Sequence, residues 1–451
     1  MTKPTSGVRR REWRTPLGIV AGTAALVAAA AVWGPGLFRG GSHSSEVNPV
    51  VWFLIAVAVV LLFCHLCGEL LRRWGQPPVL GEILGGLLLG PSALGLVWPS
   101  AQQWLFPPDV LVHLDRAAQL GLIIFMFLLG CELRTDNLRG PRVLGSVVAG
   151  SMLLPMLAGV CIALTAGGVL AGETGSRASY VLFFGLALAI TALPVLGRIL
   201  FDLRMQDTPV GVIALSAAAV GDGLAWVALA LILTSDGGFI RTAGLAVALV
   251  LFVVLCVRPL LAALERRLAS TAENGQLLLA VLVVGAIGCG AATELIGLHP
   301  VIGAFLFGTA VPRNSAAVHQ ISRRMQGFAV AILLPLFFAG VGLKTSVGLL
   351  GGTPLNWLVF AAVLFGAIGT KFIGAGGGAR LAGLPPREAL QIGTLMNCRG
   401  ITELVVATIG LQSGLISPLG FTILVLVAVI TTATTGPLMR RFTTHEPKLV
   451  G

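Results

Sequence analysis

The feature that most constrains this chain is a long apolar segment with one acid at its centre. Residues 210–234 read VGVIALSAAAVGDGLAWVALALILT, and Asp222 is the only charged side chain among them. A helix of about 20 residues spans the ~30 Å hydrocarbon core of a bilayer, so this segment predicts a transmembrane helix with a carboxyl group near its midplane. Such an acid costs roughly 2.5–3.5 kcal/mol on insertion scales, which indicates either a buried structural hydrogen bond or a proton- or cation-binding site.

The whole chain has the composition of a protein that crosses a membrane many times. Its 451 residues are 56% hydrophobic and 11% charged, whereas soluble domains carry about 25% charged residues. No stretch is long and polar enough for a nucleotide-binding domain, which favours a secondary transporter without cofactors over an ATP-driven pump or an enzyme. All seven cysteines lie in apolar stretches, where packing explains them better than metal or redox chemistry.

The apolar segments predict an all-α protein with about 13–14 transmembrane helices. We expect residues 1–15 to be cytoplasmic and residues 16–38 to form an extra, retained N-terminal helix. Most Lys and Arg residues then fall on the inner side of the membrane, as the positive-inside rule requires. This topology also places the tail, residues 442–451, in the cytoplasm. The net charge of +11 therefore indicates topology and not a nucleic-acid partner.

A proline interrupts the helix predicted immediately before the Asp222 segment. Residues 178–203 read SYVLFFGLALAITALPVLGRILFDLR, with Pro194 in the middle and Thr191 three residues earlier. A mid-helix proline removes one amide donor, and in a membrane the freed backbone must find partners in protein or a cavity. The pattern predicts either a simple kink or a discontinuous helix whose carbonyls and Thr191 hydroxyl bind a cation.

Two later helices carry charges at membrane depth. Lys371 lies in the predicted helix 355–382, at a depth similar to that of Asp222. In REALQIGTLMNCRGITELVVATIGLQSG, Arg399 and Glu403 are spaced i,i+4 and share a helix face. They form either a structural ion pair or part of a transport site.

Asn397 and Gly400 predict a second helix break. The order of the broken helices and the charged helices along the chain indicates how its two halves are related. A broken helix followed by an acidic helix lies in one half of the chain, and a lysine helix followed by a broken helix lies in the other. Inverted-topology repeats give this reversed order, with substrate bound between them at the membrane midplane.

The chain resembles the second branch of the monovalent cation:proton antiporter family, which includes sodium/proton and potassium/proton exchangers. The resemblance extends over about residues 50–441 and rests on six stretches that occur in the family's order. These are GQPPVLGEILGGLLLGPSALG, LGLIIFMFLLGCEL, ALAITALPVLGRIL, AAAVGDGLAW, LPLFFAGVGLKT and MNCRGITELVVATIGL.

The resemblance implies two discontinuous helices that cross, and a core that moves against a dimerisation domain in a homodimer. The expected core helices lie at about 142–234 and 355–441, and the dimerisation helices at about 50–134 and 276–346. By the same resemblance, Asp222 binds the proton or alkali cation, while Lys371, Arg399 and Glu403 compensate charge or couple the two ions.

One position departs from the family pattern. Electrogenic members have two adjacent aspartates and electroneutral members often have Asn-Asp, whereas this chain has Gly221 before Asp222.

We expect a Na⁺/H⁺ or K⁺/H⁺ antiporter in a cell membrane, which the Ala- and Gly-rich composition suggests is a bacterial inner membrane. The alternatives are a proton-coupled carrier of another small solute and a membrane sensor or channel-like protein that no longer transports.

Overall fold

The computed structural model describes residues 49–132, 141–174, 176–205, 208–233, 239–268, 275–296, 299–312 and 316–443. The helix expected at residues 16–38 lies outside these ranges, as do residues 1–15 and most of the tail.

Helices make up nearly all of the regular structure in the described chain. The remainder includes one isolated antiparallel bridge, between Ala171 and Ile416. The α-helices are α1 (Pro49–Arg73), α2 (Pro78–Leu89), α3 (Leu94–Val97), α4 (Pro99–Leu105), α5 (Pro108–Glu132), α6 (Pro141–Leu170), α7 (Arg177–Ala189), α8 (Leu193–Asp202), α9 (Pro209–Leu233), α10 (Phe239–Phe252), α11 (Arg258–Leu268), α12 (Gly275–Leu295), α13 (Pro300–Ala310), α14 (Ala316–Phe328), α15 (Leu334–Lys344), α16 (Pro354–Lys371), α17 (Gly377–Leu381), α18 (Pro386–Met396), α19 (Ile401–Gln412) and α20 (Pro418–Thr443).

Several of these helices join into longer membrane spans through π-helical turns. Such turns lie at Val253–Val257, Ala329–Leu333 and Phe372–Gly376, and a 3₁₀ turn at Val347–Gly352 precedes α16. Ten helical segments of the described chain are long and apolar enough to cross a membrane, and α7, α13 and α19 are shorter apolar helices. The predicted all-α, multi-pass membrane fold is therefore confirmed.

Prolines and glycines set the bounds of two helices. α2 stops at Leu89, because Gly90 and Pro91 interrupt the backbone hydrogen bonds that would continue it. α5 begins at Pro108, since proline is favoured in the first turn of a helix.

The closely packed helix pairs in the described chain fall into two sets. One set, the scaffold group, contains α1, α2, α5, α12, α13 and α15; the other, the core group, contains α6–α9 and α16–α20. Close packing of α6 with α7, α9 and α16 unites the core group, and packing of α5 with α13 and α15 unites the scaffold group. One buried apolar cluster runs through both groups, and the charged residues predicted at membrane depth all belong to the core group.

Candidate functional site

The site is built around two broken helices whose breaks touch. α7 ends at Ala189 and α8 begins at Leu193; α18 ends at Met396 and α19 begins at Ile401. The Ala192 amide of the first break donates to the Cys398 carbonyl of the second, 3.1 Å away. The predicted pair of discontinuous helices is therefore present, and the two helices cross at their breaks.

Local sequence explains where each break lies. Pro194 is the second residue of α8, where its missing amide costs no hydrogen bond, so the proline starts a helix rather than kinking one. Asn397 closes α18, and Gly400 precedes α19. A Cβ atom on Gly400 would lie 2.6 Å from Cγ2 of Val195, so only glycine lets the two breaks approach this closely.

Two buried cations cover the carbonyl end of α7. Arg399 donates from Nη1 to the Ala187 carbonyl at 3.3 Å and from Nη2 to the Leu188 carbonyl at 2.6 Å. Lys371 donates from Nζ to the Ala189 carbonyl at 2.5 Å. The last carbonyls of a helix have no partner within it and carry a partial negative charge. The two side chains thus satisfy these carbonyls and neutralise the helix end.

Arg399 also forms a buried ion pair. Its Nη1 lies 2.7 Å from Oε1 of Glu403, and both side chains are 0% exposed. Thr432 of α20 holds the backbone of Arg399, because the Arg399 amide donates to Thr432 Oγ1 at 3.1 Å and that hydroxyl donates to the Arg399 carbonyl. The i,i+4 pair of Arg399 and Glu403 is therefore in contact, and it is anchored from a neighbouring helix.

Asp222 faces the amide ends of the other two half-helices. It projects from α9 with 1% exposure, lies near the backbone of Leu193, and receives the Thr402 hydroxyl at 3.4 Å on Oδ2. Leu193 begins α8 and Thr402 lies in the first turn of α19. The first amides of a helix favour a bound anion, so two helix N-termini stabilise this carboxylate.

One oxygen of this carboxylate is without a partner. Asp222 Oδ1 is fully buried and has no hydrogen-bond donor among the described residues. The same is true of Glu403 Oε2 and Asn397 Oδ1. A buried acceptor without a donor is costly, so Oδ1 of Asp222 keeps the capacity to accept one more partner.

The Thr191 hydroxyl, which the sequence predicts as a cation ligand, contacts Lys371 and Met396 in this structure. The Thr191 hydroxyl accepts from Lys371 Nζ at 2.6 Å and donates to the Met396 carbonyl at 3.0 Å. Within the described chain, Lys371 forms no ion pair within 4 Å with either carboxylate of the site. Lys371, Thr191 and Arg399 thus lie together at the carbonyl end of α7, and Asp222 lies at the amide ends of α8 and α19. Glu403 belongs to the first turn of α19 and joins the first group through its ion pair with Arg399.

Thr402 is a site residue that the sequence interpretation missed. It stands between the break at Gly400 and the charged Glu403 in the stretch MNCRGITELV. A hydroxylic residue in the first turn after a predicted break is the signal that could have identified it.

Comparison with known proteins gives relatives over most of the chain. The profile of the family described as sodium/hydrogen exchanger, transmembrane, matches residues 57–441. The Na⁺/H⁺ antiporter NhaS4 of Synechocystis sp. is 35% identical over 404 residues, which are 87% of this chain and 98% of that protein. The K⁺/H⁺ antiporter 1 of Saccharomyces cerevisiae is 32% identical over 88% of this chain, and the match covers 47% of that protein.

A solved structure agrees with the fold. The sodium proton antiporter MjNhaP1 from Methanocaldococcus jannaschii aligns with a TM-score of 0.63, over 87% of this chain and 96% of that chain. At 15% identity this is a likeness of fold alone. The profile match and the identity to NhaS4 along nearly its whole length show the family directly: the chain belongs to the sodium/hydrogen exchangers, a family of transmembrane cation/proton antiporters and not of enzymes.

Proposed function

We propose that the protein exchanges a monovalent cation, Na⁺ or K⁺, for protons, and that both ions compete for the carboxylate of Asp222. The observation that carries this proposal is the unpartnered Oδ1 of Asp222, buried at the meeting point of two helix N-termini. A carboxylate oxygen is the hard ligand that small cations prefer, and it is also a proton acceptor. The names of the relatives, which include Na⁺/H⁺ and K⁺/H⁺ antiporters, support the same exchange.

The remaining charges of the site have a supporting role in this proposal. Lys371 and Arg399 cover the carbonyl end of α7, and Glu403 balances Arg399. With Asp222 included, two acids and two bases are buried together, so their formal charges cancel. A proton or a monovalent cation on Asp222 then changes the charge of the site by the same amount, and neither ion needs a further partner.

Transport with this site requires access from alternating sides. We infer that the core group moves against the scaffold group, that the scaffold group forms the interface of a homodimer, and that both termini are cytoplasmic. The close packing within each group supports this division. Asp222 and Thr402 are buried, so one group must shift against the other before water reaches them.

Vesicles that contain the purified protein test the function. With a pH-sensitive dye inside, pulses of Na⁺, K⁺ and Li⁺ are expected to drive proton movement for at least one cation. Protein-free vesicles give the background. Absence of a response to all three cations would contradict antiport and favour a carrier of another solute or a non-transporting protein.

The substitution Gly221→Asp tests the stoichiometry. One free carboxylate predicts one proton per cation, so wild-type exchange should not respond to membrane potential. A Cβ atom at Gly221 would meet only Met152 Sδ, at 3.7 Å, so an added side chain has room. A second carboxylate that carries a second proton would make each cycle move one charge, worth about 2.3 kcal/mol per 100 mV.

We therefore expect an imposed potential to change the rate in Gly221→Asp and not in wild type. Gly221→Asn is the matched control, since it adds the same volume without an acid. Potential-dependent wild-type exchange would contradict the one-carboxylate stoichiometry.

A cysteine cross-link tests the proposed motion. Gln412 of α19 donates to Asp115 of α5 at 3.3 Å, and this contact joins the two groups at one end of the membrane. In a protein whose seven native cysteines are replaced, oxidation of Asp115→Cys/Gln412→Cys should stop exchange, and a reductant should restore it. Exchange should stop because a disulfide holds the Cα atoms of its two cysteines within about 7 Å of each other, which prevents the two groups from moving apart at this contact.

The control pair lies next to this one but within the core group. Thr174 donates to the Ser413 carbonyl at 2.6 Å, so an oxidised Thr174→Cys/Ser413→Cys protein should keep its exchange rate. Full activity of the cross-linked Asp115→Cys/Gln412→Cys protein would argue against motion between the groups.

A further inference from the structure

The hydroxyl of Thr191 already has two hydrogen-bond partners in this structure. It accepts from the Lys371 ammonium at 2.6 Å and donates to the Met396 carbonyl at 3.0 Å. A cation bound to this hydroxyl would lie against the positive charge of Lys371, and like charges at such separations repel strongly inside a protein. A hydroxyl that binds a cation together with Asp222 must therefore come from another residue of the site.

Thr402 makes a different contact from those of most buried helical threonines in this chain. Thr394 and Thr431, for example, donate to the carbonyl four residues back in their own helices, each at 2.8 Å. Such back-bonding is the usual local solution for a threonine inside a helix. Among the described residues, the Thr402 hydroxyl instead hydrogen-bonds to Asp222 alone. Its side chain is thus directed at the carboxylate and away from its own helix.

The spacing of the two oxygens suits a shared cation better than a hydrogen bond. Thr402 Oγ1 lies 3.4 Å from Asp222 Oδ2, whereas O–H···O bonds prefer about 2.5–3.0 Å. Oxygen ligands of Ca²⁺ lie about 2.3–2.6 Å from the ion, so two ligands at right angles are roughly 3.3–3.7 Å apart. Na⁺ has nearly the radius of Ca²⁺, while K⁺ is larger and requires a wider pair.

We propose that Thr402 is a direct ligand of the transported cation, together with Asp222, and that this pair selects Na⁺ over K⁺. The inference rests on the proposed antiport and adds a specificity-determining residue to it. Three observations carry it: the 3.4 Å oxygen pair, the unpartnered Oδ1 of Asp222, and the engagement of Thr191 by Lys371. The hydroxyl oxygen supplies a lone pair to the ion, and no bond is made or broken.

The test compares Thr402→Val with Thr402→Ser in vesicles at fixed pH. Valine keeps the shape of threonine without the oxygen, so the KM for Na⁺ should rise about tenfold, as expected for the loss of one polar ligand. The KM for K⁺ should change less, so the Na⁺/K⁺ preference falls. Serine keeps the oxygen and should preserve the preference. Thr431→Val, which removes a buried hydroxyl of α20, is the matched control and should leave both KM values unchanged.

A binding measurement supplements transport. Na⁺ should raise the unfolding temperature of wild type and Thr402→Ser in detergent, because a ligand of the folded state stabilises it. The rise should be smaller for Thr402→Val, or for Thr402→Ala if the valine variant does not fold.

An unchanged Na⁺/K⁺ preference in an otherwise active Thr402→Val protein would overturn the inference while leaving antiport intact. A proportional fall in the rates for all cations would overturn it as well, because it would reduce Thr402 to a structural role. Lack of exchange by wild type would instead reject the underlying function.

Discussion

Replacing Asp222 with asparagine is expected to reduce cation-induced proton movement to the level of protein-free vesicles. The amide is nearly isosteric, and its oxygen can still accept from the Thr402 hydroxyl. It cannot carry a proton or a negative charge in the physiological range, so it offers neither of the two states between which the proposed cycle alternates. The substitution therefore removes the chemistry of the site while keeping its shape.

The stability of Asp222→Asn separates loss of transport from loss of folding. We expect its free energy of unfolding to stay within about 1–3 kcal/mol of wild type, since only one buried acceptor changes. Glu294→Gln is the matched control, because Glu294 is an exposed acid at the end of α12 and its loss should not affect exchange. Undiminished exchange by a folded Asp222→Asn protein would reject Asp222 as the ion-binding residue.

The second large effect concerns the buried ion pair. Arg399→Met leaves Glu403 buried without its cation and removes both donors from the Ala187 and Leu188 carbonyls. Breaking a buried pair by removing one partner costs about 3–5 kcal/mol. We therefore expect a large fall in the free energy of unfolding, measured by denaturation in detergent.

The double variant Arg399→Met/Glu403→Leu distinguishes charge from packing. Apolar replacement of both partners is often neutral, so most of the lost stability should return. The α7 carbonyls still lack donors, and each buried unsatisfied group costs about 1–3 kcal/mol, so recovery should be incomplete. A double variant no more stable than Arg399→Met would show that the carbonyl contacts, and not the ion pair, dominate the energy.

The fold was largely predictable because membrane spans depend on quantities that the sequence carries directly. Hydrocarbon thickness sets the length of an apolar segment, and the positive-inside rule orients successive helices. The break near Pro194 is predictable only to within a few residues. A proline in the first turn of a helix and a proline at a kink leave similar local sequence patterns, so the sequence alone does not say on which side of Pro194 the helix stops.

The contacts inside the site were less predictable. Position along a helix gives the depth of a side chain but not its direction around the axis relative to a neighbouring helix. The contacts of Lys371 with Thr191 and the end of α7 therefore do not follow from its predicted depth, which is similar to that of Asp222. Thr402 was missed for the same reason, since many threonines in this chain lie in apolar helices and most bond only to their own backbone.

The contact between the two helix breaks has a consequence for the thermodynamics of transport. The Ala192–Cys398 hydrogen bond, the close approach of Gly400 to Val195, and the Arg399 contacts with α7 tie both broken helices together. If they travel as one body, the ligands around Asp222 keep their mutual distances whichever face of the membrane they meet. The intrinsic dissociation constant for a cation is then the same on the two sides. The ion gradients set the direction of net exchange in any case, and equal dissociation constants add that the site is half-saturated at the same cation concentration on either side.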